Sequence, residues 1–120
     1  MKILNFYNDQ HKEFYENCKS TRKTDPYHAS LIYLLGLTED TRKHFAEIYN
    51  LEAGEINIET LDQAWQTGTS LKIIRLAFNL FNGFVGTEEA EASKYAVDNI
   101  FCSKEFAPYF WEAVKIRFEM

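Results

Sequence analysis

The feature that most constrains this chain is an apolar stretch near its middle, from Trp65 to Gly83. On a helical wheel of about 100° per residue, its polar side chains fall within an arc of roughly 80°, and apolar side chains cover most of the rest. These polar residues are Lys72, Arg75, Asn79 and Asn82. Because so little of such a helix could face water, other elements must surround it. The sequence therefore predicts a central apolar helix over about 70–82, with Thr69 or Ser70 as its N-cap and Gly83 closing its last turn.

Short amphipathic segments on both sides of this stretch predict further helices. Asn8 can cap a helix over about 9–19, and Asp25-Pro26 is a strong start for a second helix that Gly36 ends. In that second helix, the spacing predicts one buried side formed by Tyr27, Leu31, Leu34 and Leu35. The remaining helices are predicted over about 39–49 with Thr38 as the cap, from Thr60 through Trp65, from Ser93 with Val97, Ile100 and Phe101 inward, and over about 107–118.

Residues 50–58 form the least helical part of the chain. Gly54 interrupts the helical period, and Glu55 to Glu59 alternates with the period of two that is typical of a strand. No second strong strand is evident, so at most one short extended segment is expected near 55–58. Residues 87–92 are small and acidic and are expected to be mobile. Together these patterns predict an all-α fold, a compact single-domain bundle of about six or seven short helices that spans residues 1–120.

The charge distribution argues against some partners and favours others. The formal net charge is −5, which argues against binding to nucleic acid or to anionic membranes. Acidic and basic side chains are equal in number over residues 1–50, so the acidic excess lies in residues 51–120. Two acidic runs occur there: Glu52, Glu55, Glu59 and Asp62, and then Glu88, Glu89 and Glu91. They predict a surface that binds a basic protein, with ordinary solvated faces as the alternative.

Cysteine usage and hydropathy indicate the compartment. Cys18 and Cys102 lie far apart without a metal-type spacing, which is typical of buried thiols in a reducing compartment; one disulfide between them is the alternative. The first residues lack the continuous apolar core of a signal peptide. No stretch reaches the ~18 apolar residues that a bilayer span requires. The expected protein is soluble and cytoplasmic, and it is not bound to a membrane.

No catalytic or metal-binding pattern is present in the sequence. His11, His28 and His44 lie far apart and belong to none of the common metal-ligand motifs. Neither thiol has an adjacent base, and the nucleophile motifs of hydrolases do not occur. The sequence therefore predicts a protein that is not an enzyme and that needs neither a metal nor a cofactor.

The strongest local indication of a ligand is the turn that enters the central helix. A glycine-containing turn at a helix N-terminus offers free N–H groups, hydroxyls and a favourable dipole to an anion. The residues concerned are Thr67, Gly68, Thr69, Ser70, Lys72 and Arg75. They predict, as an alternative function, a small-ligand protein that binds a phosphate or a nucleotide at this turn. Ordinary helix capping explains the same residues, and the Walker pattern is absent.

A second alternative is a helix-turn-helix DNA-binding protein, because residues 25–50 predict two short helices joined by a tight corner. The second of these helices offers Arg42, Lys43 and His44 to DNA. The same helix also carries acidic side chains, and the chain as a whole is acidic. Nucleic acid is therefore a less favoured partner than protein.

The last predicted helix has more aromatic surface than one core contact requires. Its large apolar side chains spread over about 200° of the helical wheel. One interpretation is that the helix is wedged between neighbouring elements. The other is that part of its aromatic face, including Tyr109 and Trp111, binds a partner protein or a second copy of the chain in a homodimer.

Four strings of the sequence carry a resemblance: Leu34–Arg42, Ala64–Ser70, Leu76–Gly83 and Ala107–Ala113. They are similar to an uncharacterised family of small proteins from clostridial genomes and their phages. The resemblance covers nearly the whole chain and implies a small accessory protein carried by a mobile element. It assigns no catalytic or binding role to any residue of this chain, because the family has no established activity. By analogy with small acidic phage proteins, the leading interpretation is a non-enzymatic binding protein that acts through protein–protein contact, such as an inhibitor of a host defence nuclease of the CRISPR type.

Overall fold

Helices dominate the computed structural model, which describes residues 3–20 and 25–120. The α-helices of this part are α1 (Asp9–Ser20), α2 (Pro26–Leu35), α3 (Glu39–Lys43), α4 (Phe45–Ile48), α5 (Gly68–Asn82), α6 (Val97–Ile100) and α7 (Ala107–Phe118). Two 3₁₀ helices, Ile58–Asp62 and Glu89–Tyr95, and two strands, β1 (Tyr49–Asn50) and β2 (Glu55–Ile56), complete the described elements. The prediction of an all-α bundle of short helices is therefore confirmed, although two short strands are present instead of at most one extended segment.

The core is built around α2, which packs against both α5 and α7. Every residue from Ala29 to Leu35 is buried, whereas Tyr27 is 44% exposed. The prediction of one buried side that includes Tyr27 was therefore wrong for this helix. Because Leu31 to Leu35 is an uninterrupted apolar run, α2 has no polar face there to turn towards water.

The central apolar helix of the sequence prediction is α5. Ile73, Ile74, Ala77 and Phe78 are fully buried along it, while its polar stripe is half-buried or exposed. Gly83 ends the helix in the left-handed conformation, with φ of 81°, which a residue without Cβ adopts without steric cost. This end of the helix was predicted correctly.

The N-terminal boundary of α5 differs from the prediction. The N-cap is Thr67, not Thr69 or Ser70, and the helix begins at Gly68. Thr67 Oγ1 accepts a hydrogen bond from the Ser70 N–H (3.1 Å), and Ser70 Oγ accepts one from the Thr67 N–H (2.8 Å). The two side chains therefore satisfy each other's backbone donors, and this reciprocal pairing fixes the start of the helix.

Other helix starts follow the local sequence signals. The Asp25 carboxylate accepts a hydrogen bond from the His28 N–H (2.9 Å) and caps α2, with Pro26 in the first turn. Thr38 caps α3 by accepting a hydrogen bond from the Thr41 N–H (3.2 Å). Both caps were predicted. At the corner between them, a Cβ on Gly36 would lie 2.8 Å from Phe14 Cδ1, so close packing against α1 requires glycine.

The predicted continuous helix over 39–49 is interrupted. It ends at Lys43, α4 begins at Phe45, and Tyr49 belongs to β1, where it pairs antiparallel with Ile56 of β2. At the interruption, the His44 ring stacks on Trp65, with ring centroids 3.9 Å apart. The pairing and the stacking both involve residues distant in sequence, so helical periodicity could not indicate them. The extended segment expected near 55–58 exists, but its partner strand was not predicted.

The stretch 87–92, whose expected mobility stays a prediction, overlaps the 3₁₀ helix Glu89–Tyr95. Two further expectations were wrong. The short helix predicted from Thr60 is the 3₁₀ helix Ile58–Asp62, which is capped by Asn57. No α-helix starts at Ser93: α6 begins at Val97, and that side chain is 73% exposed instead of buried. These short elements lack the length over which apolar periodicity identifies a helix reliably.

Cys18 and Cys102 are not joined by a disulfide; Cys18 is half-buried and Cys102 is exposed, whereas both were expected to be buried. Among residues 3–20 and 25–120, no helix combines the length and the apolar character that crossing a membrane requires.

Candidate functional site

At the predicted anion site at the start of α5, the side chains of Thr67 and Ser70 cap the helix. Thr67 Oγ1 caps the helix, and the Ser70 hydroxyl donates a hydrogen bond to Gln66 Oε1 (2.5 Å), with the Thr67 carbonyl as a second, more distant acceptor (3.1 Å). Ser70 is only 2% exposed, whereas Thr67, Gly68 and Thr69 are exposed. The hydroxyls of Thr67 and Ser70 are thus engaged within the turn, and the exposed Thr69 side chain and the backbone N–H groups of the first turn remain for an anion. Anion binding at this turn stays a prediction.

Arg75, the second predicted anion ligand on α5, faces carboxylates. It lines a cleft of about 240 Å³ together with Glu59 and Asp62 of the first acidic run and Glu91 of the second. Burial raises the pKa of Tyr95, which lies in the same cleft, and the adjacent Arg75 guanidinium partly opposes this shift. The fold therefore brings members of both acidic runs together around Arg75, and their charges weaken its attraction for an external anion. Lys72 is half-buried on the same helix.

Most residues of the two acidic runs lie at the surface. The exposed ones are Glu52, Glu55, Glu59, Asp62, Glu88 and Glu89. Glu91 is different, because its carboxylate accepts a hydrogen bond from the Thr87 N–H (3.1 Å) and packs against Gly86. Gly86 has φ of 99°, and a Cβ there would lie 2.6 Å from the Glu91 side chain. Glu91 therefore holds the loop before Glu89–Tyr95, and the other carboxylates are the ones a partner can reach.

The outer face of α7 carries two large exposed aromatic side chains. Trp111 is 47% exposed and Phe118 is 56% exposed. Because they are seven residues apart, they lie within roughly 20° of each other on the helical wheel. The opposite face of α7 contains Phe110 and Ala113, which are fully buried. The helix is thus packed on one side against the core and aromatic on the side that faces water.

Arg117 extends this face to α2. Its guanidinium carbon lies 3.6 Å from the ring centroid of Tyr27 and 4.6 Å from that of Phe118, within the range of cation–π contacts. Its Nε donates a hydrogen bond to the Leu80 carbonyl of α5 (2.7 Å). We call the group of Tyr27, Trp111, Arg117 and Phe118 the α7 surface.

The sequence identified this surface only in part. Trp111 was predicted as a contact residue, but Tyr109 is half-buried and packs edge-on against Tyr7, with ring centroids 5.4 Å apart. The contributions of Tyr27 and Arg117 were missed. The spacing of Trp111 and Phe118 is a signal that the sequence contains, whereas nothing local links Tyr27 to Arg117.

His11 is a buried structural histidine. It is 0% exposed, its Nδ1 accepts a hydrogen bond from the Tyr7 N–H (3.0 Å), and its Nε2 lies 2.7 Å from the Tyr33 carbonyl. Because a carbonyl can only accept, Nε2 carries the proton. Burial lowers the pKa of His11 to about 4, the bond to Tyr33 opposes this effect, and the charge of Arg42 adds to it. Both nitrogens are thus committed, and the ring is not placed to act as a base.

The residues of the helix-turn-helix interpretation also have internal contacts. Arg42 donates a hydrogen bond to the Gly36 carbonyl (2.8 Å), and His44 stacks on Trp65 while its Nδ1 lies 3.1 Å from a Glu47 oxygen. Lys43 is exposed. DNA binding stays a prediction, but Arg42 is bonded to the corner between α2 and α3, and His44 is stacked on Trp65. In the part of the chain that the structure describes, no group of three or more potential ligands could hold a metal ion.

Comparison with other proteins gives one result. No curated protein and no solved structure matches the chain. A family model described as "Family of unknown function (DUF6075)" matches residues 1–120, so the chain belongs to this family.

Proposed function

We propose that the protein is a non-enzymatic binding protein that acts through protein–protein contact, and that the α7 surface is its contact site. The observation that carries this proposal is the contact of exposed Tyr27 and Phe118 with one arginine, Arg117, next to exposed Trp111 on the same face of α7 as Phe118. Tryptophan, tyrosine and arginine are the residue types most enriched among the energetic centres of protein interfaces. Exposed apolar side chains scattered singly need no explanation, but an aromatic group of this kind marks a contact site.

The geometry of Arg117 supports a preorganised contact. Its Nε is bonded to the Leu80 carbonyl and its guanidinium lies over Tyr27. Ordering a flexible side chain on binding costs about 0.5–1.5 kcal/mol. Because Arg117 is already ordered by these contacts, most of that cost falls on folding instead of on association.

Charge supports a basic protein as the partner. The net charge is −5, and two exposed carboxylates of the first acidic run, Glu59 and Asp62, line a cleft with Glu91 of the second run, together with Arg75 and Lys94. None of the described residues that line this cleft belongs to α7. The acidic cleft therefore acts by steering a basic partner and raising its association rate, while the α7 surface supplies the close contact.

The finer identity of the partner follows from the resemblance to small proteins of clostridial genomes and their phages. An accessory protein of a mobile element acts in the cytoplasm of its host. A host defence nuclease presents a basic surface to nucleic acid, which an acidic protein can occupy. Inhibition of such a nuclease is the specific form of this proposal.

The experiment is a pull-down from host lysate at about 50 mM and about 150 mM salt, with the parent protein, Trp111→Ala and Val97→Ala as baits. Val97 is the matched control because it is 73% exposed and lies on α6, outside the α7 surface. The parent and the Val97→Ala variant should retain the same protein, more strongly at low salt. Trp111→Ala should weaken its binding by about 30-fold, the factor for a loss of about 2 kcal/mol.

Two results would contradict the proposal: recovery of no protein at either salt concentration, or equal recovery by the parent and Trp111→Ala. Sedimentation of the purified protein alone adds one distinction. A monomer–dimer equilibrium that Trp111→Ala abolishes would show that the partner at the α7 surface is a second copy of the chain.

A further inference from the structure

A second site lies on the other flank of α7. A cavity of about 580 Å³ opens between residues 3–4, α1 and α7, a volume within the range of about 300–1,000 Å³ that is typical of small-molecule sites. Its apolar and aromatic lining among the described residues consists of Ile3, Leu4, Tyr15, Ile116 and Met120. Three charged side chains of the described residues, Glu112, Lys115 and Glu119, line the same space.

Glu112 is the unusual member of this lining, because it is a carboxylate that is only 5% exposed. Its Oε1 lies 2.8 Å from Lys115 Nζ. Its Oε2 accepts a hydrogen bond from the Asn5 N–H over 3.4 Å, which is long compared with the usual ~2.9 Å. A carboxylate offers about four acceptor positions. Oε2 of Glu112 therefore keeps acceptor capacity at the wall of the cavity.

The charges of the lining determine what kind of ligand fits. Among the described residues of the lining, two carboxylates, Glu112 and Glu119, face one ammonium group, Lys115, which is already paired. An anionic ligand would meet an excess of negative charge. A neutral apolar ligand would displace water from Glu112 without replacing its hydrogen bonds, which is unfavourable for a buried charge. A cation with an apolar chain satisfies both the carboxylate and the aliphatic wall.

We propose that this cavity binds a primary alkylammonium ion, with the ammonium group donating a hydrogen bond to Glu112 Oε2 and the alkyl chain packed against Leu4, Ile116 and Met120. A second observation also indicates a negative electrostatic potential at this point. The pKa of Tyr33 is raised, first by burial and then by the charge of Glu112. The proposal does not depend on the α7 surface, because neither Trp111 nor Phe118 lines the described part of the cavity.

Calorimetric titration with three matched probes tests the proposal: n-hexylamine, n-hexanol and n-hexanoate near pH 7. The amine is protonated at this pH because its pKa is close to that of lysine, about 10.4. Hexylamine should bind at least about tenfold more tightly than hexanol, which corresponds to one charge-assisted hydrogen bond, and hexanoate should not bind. Glu112→Gln should remove the advantage of the amine over the alcohol. Glu52→Gln, an exposed carboxylate outside the cavity, should keep it.

The variant Lys115→Met provides a second test, which stays valid if the Glu112→Gln variant does not fold. The substitution keeps a long apolar side chain and removes the cation that pairs with Glu112. The variant should melt at a lower temperature than the parent. Hexylamine should restore more of this loss than it adds to the parent, because the ligand's ammonium replaces Nζ. Hexanol should not do so.

Equal affinity for hexylamine and hexanol would overturn the proposal, as would the absence of any binding by hexylamine or the absence of rescue in Lys115→Met. A further probe, N-acetyl-lysine-N-methylamide, identifies the source of the ammonium group. Binding that is as tight as that of hexylamine assigns the cavity to a lysine side chain of another protein. Tighter binding of hexylamine assigns it to a free amine.

Discussion

At the scale of single residues, His11 shows how a polar side chain can be part of an apolar core. Its ring contacts Phe6 and Tyr33, with centroids 5.2 Å and 4.5 Å away. Its two nitrogens are both hydrogen-bonded to the backbone, at Tyr7 and Tyr33. The neutral ring satisfies both partners, whereas a second proton on Nδ1 would break the bond with the Tyr7 N–H. His11 therefore ties residues 6–7 to α2 only while it is uncharged.

The stability of the protein should fall as the pH falls from about 6.5 towards about 4. The pKa of His11 is about 4 in the folded protein and about 6.5 in the unfolded chain. In that window the unfolded chain takes up a proton that the folded protein refuses, so acid favours unfolding. Between about pH 7.5 and about pH 5, His11 should contribute a loss of about 2 kcal/mol in the free energy of unfolding. Urea unfolding at the two pH values measures it.

The matched variant is His11→Gln, which keeps a donor and an acceptor but does not titrate. It should be less stable than the parent near pH 7.5, and its stability should change less between the two pH values, by about 2 kcal/mol. The other titrating groups act equally in both proteins and cancel in this comparison. An unchanged pH dependence in His11→Gln would show that His11 is not held neutral.

At the scale of elements, the starts and ends of the longer helices are set by local chemistry. Thr67 and Ser70 close the first turn of α5 through two reciprocal hydrogen bonds. Substituting an N-cap threonine by alanine usually costs about 1 kcal/mol. Thr67→Ala should therefore lower the free energy of unfolding by about this amount in urea unfolding experiments.

Thr69 is the control for this capping prediction. It lies in the same turn, is exposed, and was an equally good cap by sequence. Because the cap is Thr67, Thr69→Ala should change the stability by less than about 0.5 kcal/mol. A larger loss for Thr69→Ala than for Thr67→Ala would place the start of the helix where the sequence alone had predicted it.

Features that depend on local interactions were predicted from the sequence, whereas features that depend on contacts between distant residues were not. Asp25-Pro26, Gly36, Thr38 and Gly83 mark boundaries through their own backbone chemistry, and all four were predicted. The interruption at His44 depends on a stacking contact with a residue 21 positions later, and sequence periodicity contains no information about such contacts.

The residues of the candidate site also divide into those that the sequence indicates and those that only the fold brings together. Trp111 belongs to a helix whose aromatic excess is visible in the sequence. Arg117, in contrast, becomes part of the site only because α7 lies beside both Tyr27 of α2 and Leu80 of α5. The cavity at Glu112 also required the fold, since its lining comes from residues 3–4, α1 and α7. For the α7 surface the helical pattern indicated the face of one element, whereas no pattern indicated the cavity. In both cases tertiary packing supplied the residues that complete the site.

At the scale of the whole molecule, α2 is the element on which the others depend. It packs against α1, α5 and α7, and its seven residues from Ala29 to Leu35 are all buried. The radius of gyration of 13.3 Å is close to the ~13.6 Å expected for one compact domain of this length. Because α1, α5 and α7 all pack against α2, we expect the loss of packing in one part of the core to affect the others.

Unfolding should therefore be cooperative, and damage to α2 should affect the whole structure. Leu34 is 0% exposed, so Leu34→Ala should lower the free energy of unfolding by about 2 to 5 kcal/mol through the cavity that it leaves. Val97→Ala, at a 73% exposed position, should change it by less than about 0.5 kcal/mol. In both variants and in the parent, far-ultraviolet circular dichroism and tryptophan fluorescence should follow the same urea transition. Circular dichroism follows the helices, whereas fluorescence follows Trp65, which precedes α5, and Trp111 of α7. Different urea transitions by the two methods would mean that parts of the molecule unfold independently and that packing against α2 does not make their unfolding cooperative.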